Sequence, residues 1–147
     1  LRCGMEGARA LFVNEYEYAL IEKMTGLSPQ RVLENHPDAF VVVTLGEKGA
    51  EIYSNQGLSR IPIVKTEAVV DPTGVGDAFR GGFLTGLHYG FDLQLCGEMG
   101  ALAATFCLEN KGTQAHTFTI PEFIGRFRSH FDDRGRLDAL KKSPTGY

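Results

Sequence analysis

The sequence predicts an α/β layered fold built on a mainly parallel sheet. Three observations predict it. Phe40-Val41-Val42-Val43-Thr44 is a continuous β-branched run, the mark of a strand buried on both faces. Helical stretches separate strand-like segments, as they do in layered α/β proteins. Residues 93–109 read as a helix that is small and apolar nearly all round (Ala101, Leu102, Ala103, Ala104, Phe106, Cys107), and such a helix is buried. The 147 residues suit one domain with a sizeable core. The expectation is a single domain over 1–147, with its core in 10–131 and a polar, frayed tail over 132–147.

The elements follow in order. Ala10 to Val13 is a short apolar run ending at Asn14, as a buried strand would. Residues 15–25 carry Tyr18, Leu20, Ile21 and Met24 at helical spacing and stop at Gly26. Ser28-Pro29 is a cap followed by a first-turn proline, opening a short helix to about Asn35. After the 40–44 strand, residues 45–49 form a turn. Ala50 to Ser54 and Leu58 to Val64 are strands joined by Asn55-Gln56-Gly57, a hairpin signal. A glycine-rich loop over 71–76 leads into a helix of about 76–89, ending near Gly90. Asp92 caps the apolar helix, and Pro121 opens a last helix to about 131. In open parallel sheets ligands sit outside the carboxyl ends of the strands. Asn14, Thr44 and the 71–77 loop all fall at such ends.

Composition removes several function classes. Hydrophobic content is 43%, charged content 22% and net charge −3, an ordinary globular balance. A nucleic-acid or membrane-surface binder would show a basic excess, so neither partner is expected. No run of about 18 apolar residues marks a transmembrane helix. Cys3, Cys96 and Cys107 form no CxxC pair and read as reduced thiols of a cytoplasmic protein. His36, His88, His116 and His130 show no metal-ligand spacing. The chain opens Leu1-Arg2-Cys3-Gly4, without an initiator Met, and is expected to start mid-protein or to be a processed or cloned piece.

The chemistry sits in Asp71-Pro72-Thr73-Gly74-Val75-Gly76-Asp77. Gly74-Val75-Gly76 lies directly before a helix, whose free N–H groups and dipole make an anion site without any basic side chain. Asp77, at the same helix start, reads either as a first-turn charge stabilising the dipole or as a functional carboxylate. The string is neither a Walker A loop, since Gly-Lys-Ser/Thr is missing, nor a Rossmann fingerprint. With Ala78-Phe79 and Gly81-Gly82-Phe83-Leu84 it closely resembles the C-terminal signature of the ribokinase (PfkB) family of carbohydrate and nucleoside kinases. Val75 stands where alanine is usual and leaves the backbone N–H groups in place.

The resemblance implies a ribokinase-like three-layer α/β/α fold, of which this chain is the C-terminal portion. It implies that Asp77 is the general base that takes the proton from the acceptor hydroxyl. The N–H groups of Gly74, Val75 and Gly76 would form the anion hole for the transferring phosphoryl group. Phosphoryl transfer is mostly positioning and electrostatic stabilisation, which suits such a set. Asn14-Glu15-Tyr16-Glu17 matches the family's Asn-x-x-Glu element, implying that Asn14 and Glu17 arrange Mg²⁺ near the phosphates. Taken alone the same residues are a helix cap with first-turn charges. Thr44-Leu45-Gly46-Glu47-Lys48-Gly49 is similar to the family's nucleotide-binding turn, which makes Thr44, Gly46 and Gly49 ATP-binding candidates; a plain β-turn is the other reading. Gly100, Ala101 and Ala104 would wall the adenine pocket, and close helix packing explains small residues there equally well. Asp71 and Thr73, with carbonyls near Asn110 and Gly112, correspond to a K⁺ site in some members. Asp71 reads equally as a brace for the loop.

Glu109 to His116, Phe118-Thr119 and Arg80 look similar to the adenosine-kinase-like branch. The implied reaction is ATP-dependent phosphorylation of a primary hydroxyl on a ribonucleoside, adenosine first, or on a sugar. The family's N-terminal half, with most acceptor-binding residues and the lid, is not in this sequence. A homodimer would form through those parts. The rival reading is therefore a catalytically incomplete nucleotide-binding fragment.

Overall fold

The structure is a computed structural model that describes residues 2–112 and 117–142. The expectations that fall on 113–116, among them His116, and on 143–147 lie outside the described residues. The chain forms two compact units, Leu1–Pro62 and Ile63–Tyr147.

The first unit is a four-stranded sheet in the order β1 (Ala10–Asn14), β2 (Phe40–Thr44), β3 (Ala50–Ser54), β4 (Gly57–Ile61). A first short helix, α1 (Arg2–Met5), precedes it and buries Met5; nothing in the sequence pattern marked it. β1 and β2 run parallel, because the 25 residues between them hold helix α2 (Glu15–Thr25) and a 3₁₀ helix at Pro29–Glu34 as a crossover. The remaining two pairings are antiparallel. The α/β class stands, but the sheet is mixed, where a mainly parallel one was expected. Connections as short as 45–49 and 55–56 permit only antiparallel return. A run of β-branched residues reads the same in either sense. β2 is buried along Phe40–Val43. On one face Val13, Ile21, Val32, Ala39, Val41 and Val43 pack as a core. β4 ends at Ile61, earlier than the 58–64 expected, because Pro62 has no N–H for the ladder.

The second unit is helical. α3 (Val75–His88) and α4 (Leu93–Leu108) pack along their length, followed by α5 (Ile120–Arg128). Their contact is unusually close. A Cβ on Gly82 would lie 2.7 Å from the Met99 carbonyl, and one on Gly86 2.8 Å from Cys96 Sγ. Val64, Leu95, Met99, Leu102, Phe123 and Phe127 form the core. The expected polar tail is corrected over 132–142. A 3₁₀ helix at Arg136–Lys141 buries Leu137 and Leu140 in the same core. Asp133 is buried as well, its two oxygens held by Arg128 Nε and Nη2, each at 2.9 Å. Cys96 and Cys107 are buried, as expected for structural thiols, and Cys3 is exposed. Burial pushes the Cys96 thiol up to about 12.

Candidate functional site

The candidate residues fall in two groups, one in each unit. In the first unit, Asn14 and Thr44 are register partners at the carboxyl ends of β1 and β2. The expected metal element and the expected nucleotide turn therefore start side by side. Asn14 caps α2 through a reciprocal box: its Oδ1 accepts from Glu17 N at 2.8 Å, and Glu17 Oε2 accepts from Asn14 N at 2.9 Å. The cap role is thus visible. It also fixes both side chains at an exposed strand end. One amide and one carboxylate suit a cation that keeps most of its waters. Among the described residues no cluster of three His, Cys, Asp or Glu offers a direct metal cage.

After Thr44, whose Oγ1 donates to the Val13 carbonyl at 3.5 Å, the chain turns through a 3₁₀ helix at Gly46–Lys48. Gly49 is needed for packing: a Cβ there would sit 2.0 Å from the Ile61 carbonyl. Open space surrounds Gly46.

In the second unit the loop Asp71–Gly74 runs into α3. Gly74 takes a left-handed conformation, φ 84°, and no side chain caps the helix behind it. The three other long helices are each capped, by Asn14, Asp92 and Thr119. The first-turn N–H groups of α3 are thus left without the side-chain acceptor those helices have. Val75 N is directed at the Pro72 carbonyl at 3.4 Å, a long contact. Gly76 is different from Gly74. Its φ is not positive, and an added Cβ would come no closer than 3.9 Å, to the Arg80 guanidinium. Among the described residues neither backbone nor packing asks for glycine there.

Asp77 is exposed and lies 3.0 Å from Arg80 Nη1. Arg80 is three residues on, one helical turn, and that spacing alone makes such pairs. In the sequence Arg80 stands out only by its resemblance to nucleoside kinases; the i, i+3 spacing from Asp77 is the signal for the pair. From Asp77 an open, mostly apolar groove of about 570 Å³ follows α3 past Gly81, Thr85 and Tyr89 to Phe118 and Phe123.

Asp71 points inward to the loop. Oδ1 accepts from Thr73 N at 2.8 Å and Oδ2 from Gly112 N at 3.0 Å. The Thr73 side chain first, then those two N–H groups, hold its carboxyl below the usual aspartate range. The Cys107 thiol is pushed up by burial, with the charges of Asp71 and Asp77 adding to it, and it donates to the Thr73 carbonyl at 3.5 Å. Gly100, Ala101 and Ala104 all lie on α4. A Cβ on Gly100 would stand 2.8 Å from the Phe79 carbonyl, so close packing on α3 accounts for that glycine. Ala101 is buried and Ala104 half-buried.

Comparison with known proteins gives these residues a setting. The chain is 36% identical over 126 residues to a nucleoside kinase of Methanocaldococcus jannaschii, covering 86% of this chain and 41% of the relative. It is 34% identical over 86 residues to an adenosine kinase of Saccharomyces cerevisiae, covering 56% and 25%. The solved structure of Burkholderia thailandensis nucleoside kinase in complex with ADP-inosine superposes with a TM-score of 0.83 at 37% identity, covering 88% of this chain and 40% of that one. The chain spans about two fifths of the length of the first two nucleoside kinases. Its fold is ribokinase-like, shared also with a ribokinase of Thermotoga maritima at a TM-score of 0.69. The profile of the pfkB family carbohydrate kinases matches residues 1–119, and the chain belongs to that family.

Proposed function

We propose that this chain is the nucleotide-binding and catalytic portion of an ATP-dependent kinase that phosphorylates a primary hydroxyl of a ribonucleoside. One observation carries the reading. The start of α3 has no side-chain cap, bears a glycine, Gly76, that nothing among the described residues requires, and presents Asp77 beside it. A missing Cβ at a helix N-terminus leaves room for an anion to reach the backbone N–H groups. The family and the ADP-inosine complex of a relative say which anion to expect.

In the proposed reaction Asp77 accepts the proton of the acceptor hydroxyl. The hydroxyl oxygen bonds to the γ-phosphorus, and the bond to the β-phosphate oxygen breaks with its electron pair leaving on ADP. N–H groups of Gly74, Val75 and Gly76 take up charge on the transferring group. Thr44, Gly46 and Gly49 in the first unit, and Ala101 and Ala104 in the second, are the nucleotide-binding residues of this reading, each taken on its own unit. Asn14 and Glu17 fit a hydrated Mg²⁺, which would screen the phosphate charge. K⁺ at Asp71 and Thr73 would share the carboxylate with two N–H groups that already occupy it. Adenosine is the first acceptor to test. Inosine, cytidine, ribose and fructose complete the panel, since the relatives include nucleoside, cytidine and sugar kinases.

A second reading has its own observation: a chain spanning 41% of its relative would, on this reading, bind ATP without a complete acceptor site. ADP release by the full-length protein containing this chain, measured with each acceptor, separates the two. Tight ATP binding with turnover of none of them sinks the kinase assignment. Asp77→Asn tests the base: kcat should fall by about 10²–10⁴-fold with ATP affinity kept. Near-normal turnover would leave Asp77 a helix-start charge only.

A further inference from the structure

We infer that Asp71 is a positioning residue that anchors the anion-binding loop to the C-terminal end of α4. The inference deepens the kinase reading and rests on it. One carboxylate oxygen makes a local turn with Thr73 N, as an aspartate before a turn commonly does. The other reaches across 41 residues to Gly112 N at 3.0 Å. Nothing local demands that second bond.

Three further bonds run the same way. Val70 N and Asp71 N both donate to the Leu108 carbonyl, at 2.9 and 3.2 Å, and Cys107 Sγ donates to the Thr73 carbonyl at 3.5 Å. Leu108 is the last residue of α4. Its carbonyl is among those a helix end leaves without an intrahelical partner, so an orphan acceptor becomes the loop's anchor. The loop itself contains Gly74 in a left-handed conformation. Such a segment has wide conformational freedom unless it is held from outside. Asp71 is the one side chain of the loop that supplies the hold with a charged acceptor, and hydrogen bonds to charged groups are the stronger ones. Its oxygens face the Thr73 side chain and two backbone N–H groups, all within the loop and its anchor, so it acts through the loop and not on the reacting atoms. Because α4 also carries Ala101 and Ala104, the same bond links the proposed adenine side to the proposed anion hole.

Two variants test this in the full-length protein, with amide exchange as one readout and steady-state kinetics as the other. Asp71→Asn keeps one acceptor for Thr73 N but turns an amide donor toward Gly112 N. Asp71→Ser keeps the local turn and is too short to reach Gly112. In both, exchange at Gly112 should quicken by about tenfold or more, while Phe83 and Leu102 in the helix core keep their protection. Where turnover is measured, kcat should drop by about 10- to 100-fold with KM for ATP within about twofold, the signature of misplaced donors. Unchanged exchange at Gly112 in both variants overturns the inference, whatever the wild-type activity. A wild-type protein that transfers no phosphoryl group, yet shows the exchange change, removes the kinase reading and keeps the anchor. Wild-type kcat in Asp71→Ser overturns the positioning role.

Discussion

Replacing Asp133 by asparagine should cost about 2 kcal/mol of stability near pH 7 and almost nothing near pH 2. Asp133 is 4% exposed and accepts three hydrogen bonds, two from Arg128 and one from Leu137 N at 2.9 Å. The Arg128 guanidinium, with the Leu137 N–H, pulls its carboxyl down from 3.8 to about 2. A fall of roughly two units at about 1.4 kcal/mol each gives ~2–3 kcal/mol, and one surviving acceptor in asparagine brings the loss to about 2. The folded-state value lies below the unfolded one. The contribution is therefore complete above about pH 4 and is lost as the pH falls through about 2. Thermal unfolding followed by the helical circular-dichroism signal, wild type against Asp133→Asn, reads both. The melting temperature should drop by about 4–8 °C near pH 7, and the gap should close on acidification toward pH 2. A gap that persists unchanged at low pH would refute the ionic origin. A gap below about 1 °C near pH 7 would show that residues after α5 contribute little to the core.

Two further outcomes follow from the glycines. Gly100→Ala places a methyl 2.8 Å from the Phe79 carbonyl and 3.1 Å from two Phe79 ring atoms. Overpacking should exceed the helix-propensity gain and lower the denaturation free energy by about 1–2 kcal/mol, while Gly81→Ala, in open space, should not; equal midpoints for the two would contradict the packing account. Gly76→Ala meets nothing nearer than 3.9 Å, so folding stability should hold or rise slightly, while ATP affinity or kcat in the full-length protein falls by about tenfold or more. Unaltered kinetics with unaltered stability would mean that no ligand approaches that backbone.

Much of the fold was legible because punctuation and periodicity agreed. Asn14, Gly26, Asp92 and Pro121 mark helix ends that the structure places within a residue or two of the expected ones, although the last helix stops at Arg128, short of about 131. The hairpin signal at Asn55–Gly57 gave the antiparallel sense of β3 and β4, but that of β2 and β3 was not legible, since the buried run at Phe40–Thr44 looks alike in parallel and antiparallel settings. Nor was the end of the chain. Leu137 and Leu140 are two apolar residues three apart in a charged stretch, and the pairs that tie this stretch down, Arg128–Asp133 and Arg136–Asp92, are not revealed by composition. The loop residues were found through their resemblance to a known signature. The resemblance brought Asp71 near Gly112 only as a shared K⁺ site; that Gly112 donates its N–H to the Asp71 carboxylate, 41 residues away, was not legible. Sequence also left Gly100 open between an adenine wall and helix packing. The distance to Phe79 gives it a packing role that needs no ligand.

That last point sorts the glycines of the second unit by what requires them. Gly74 is required by its own backbone angle, and Gly82, Gly86 and Gly100 by the approach of α3 to α4. Gly76 and Gly81 are required by neither, although a glycine inside a helix costs up to about 1 kcal/mol relative to alanine. Both lie on α3, Gly76 next to Asp77 and Gly81 one turn further along, on the groove that opens from it. A helix that tolerates this cost without internal return needs a reason outside the described residues. For Gly76 the phosphate of a nucleotide is the reason proposed here. For Gly81 the chain offers no account of its own. A residue whose small size the fold explains can be mutated to test packing; one whose small size the fold does not explain tests function. Asp77, exposed and, among the described residues, ion-paired with Arg80, belongs with the second kind, which is why its substitution should leave the fold intact and remove the proposed chemistry.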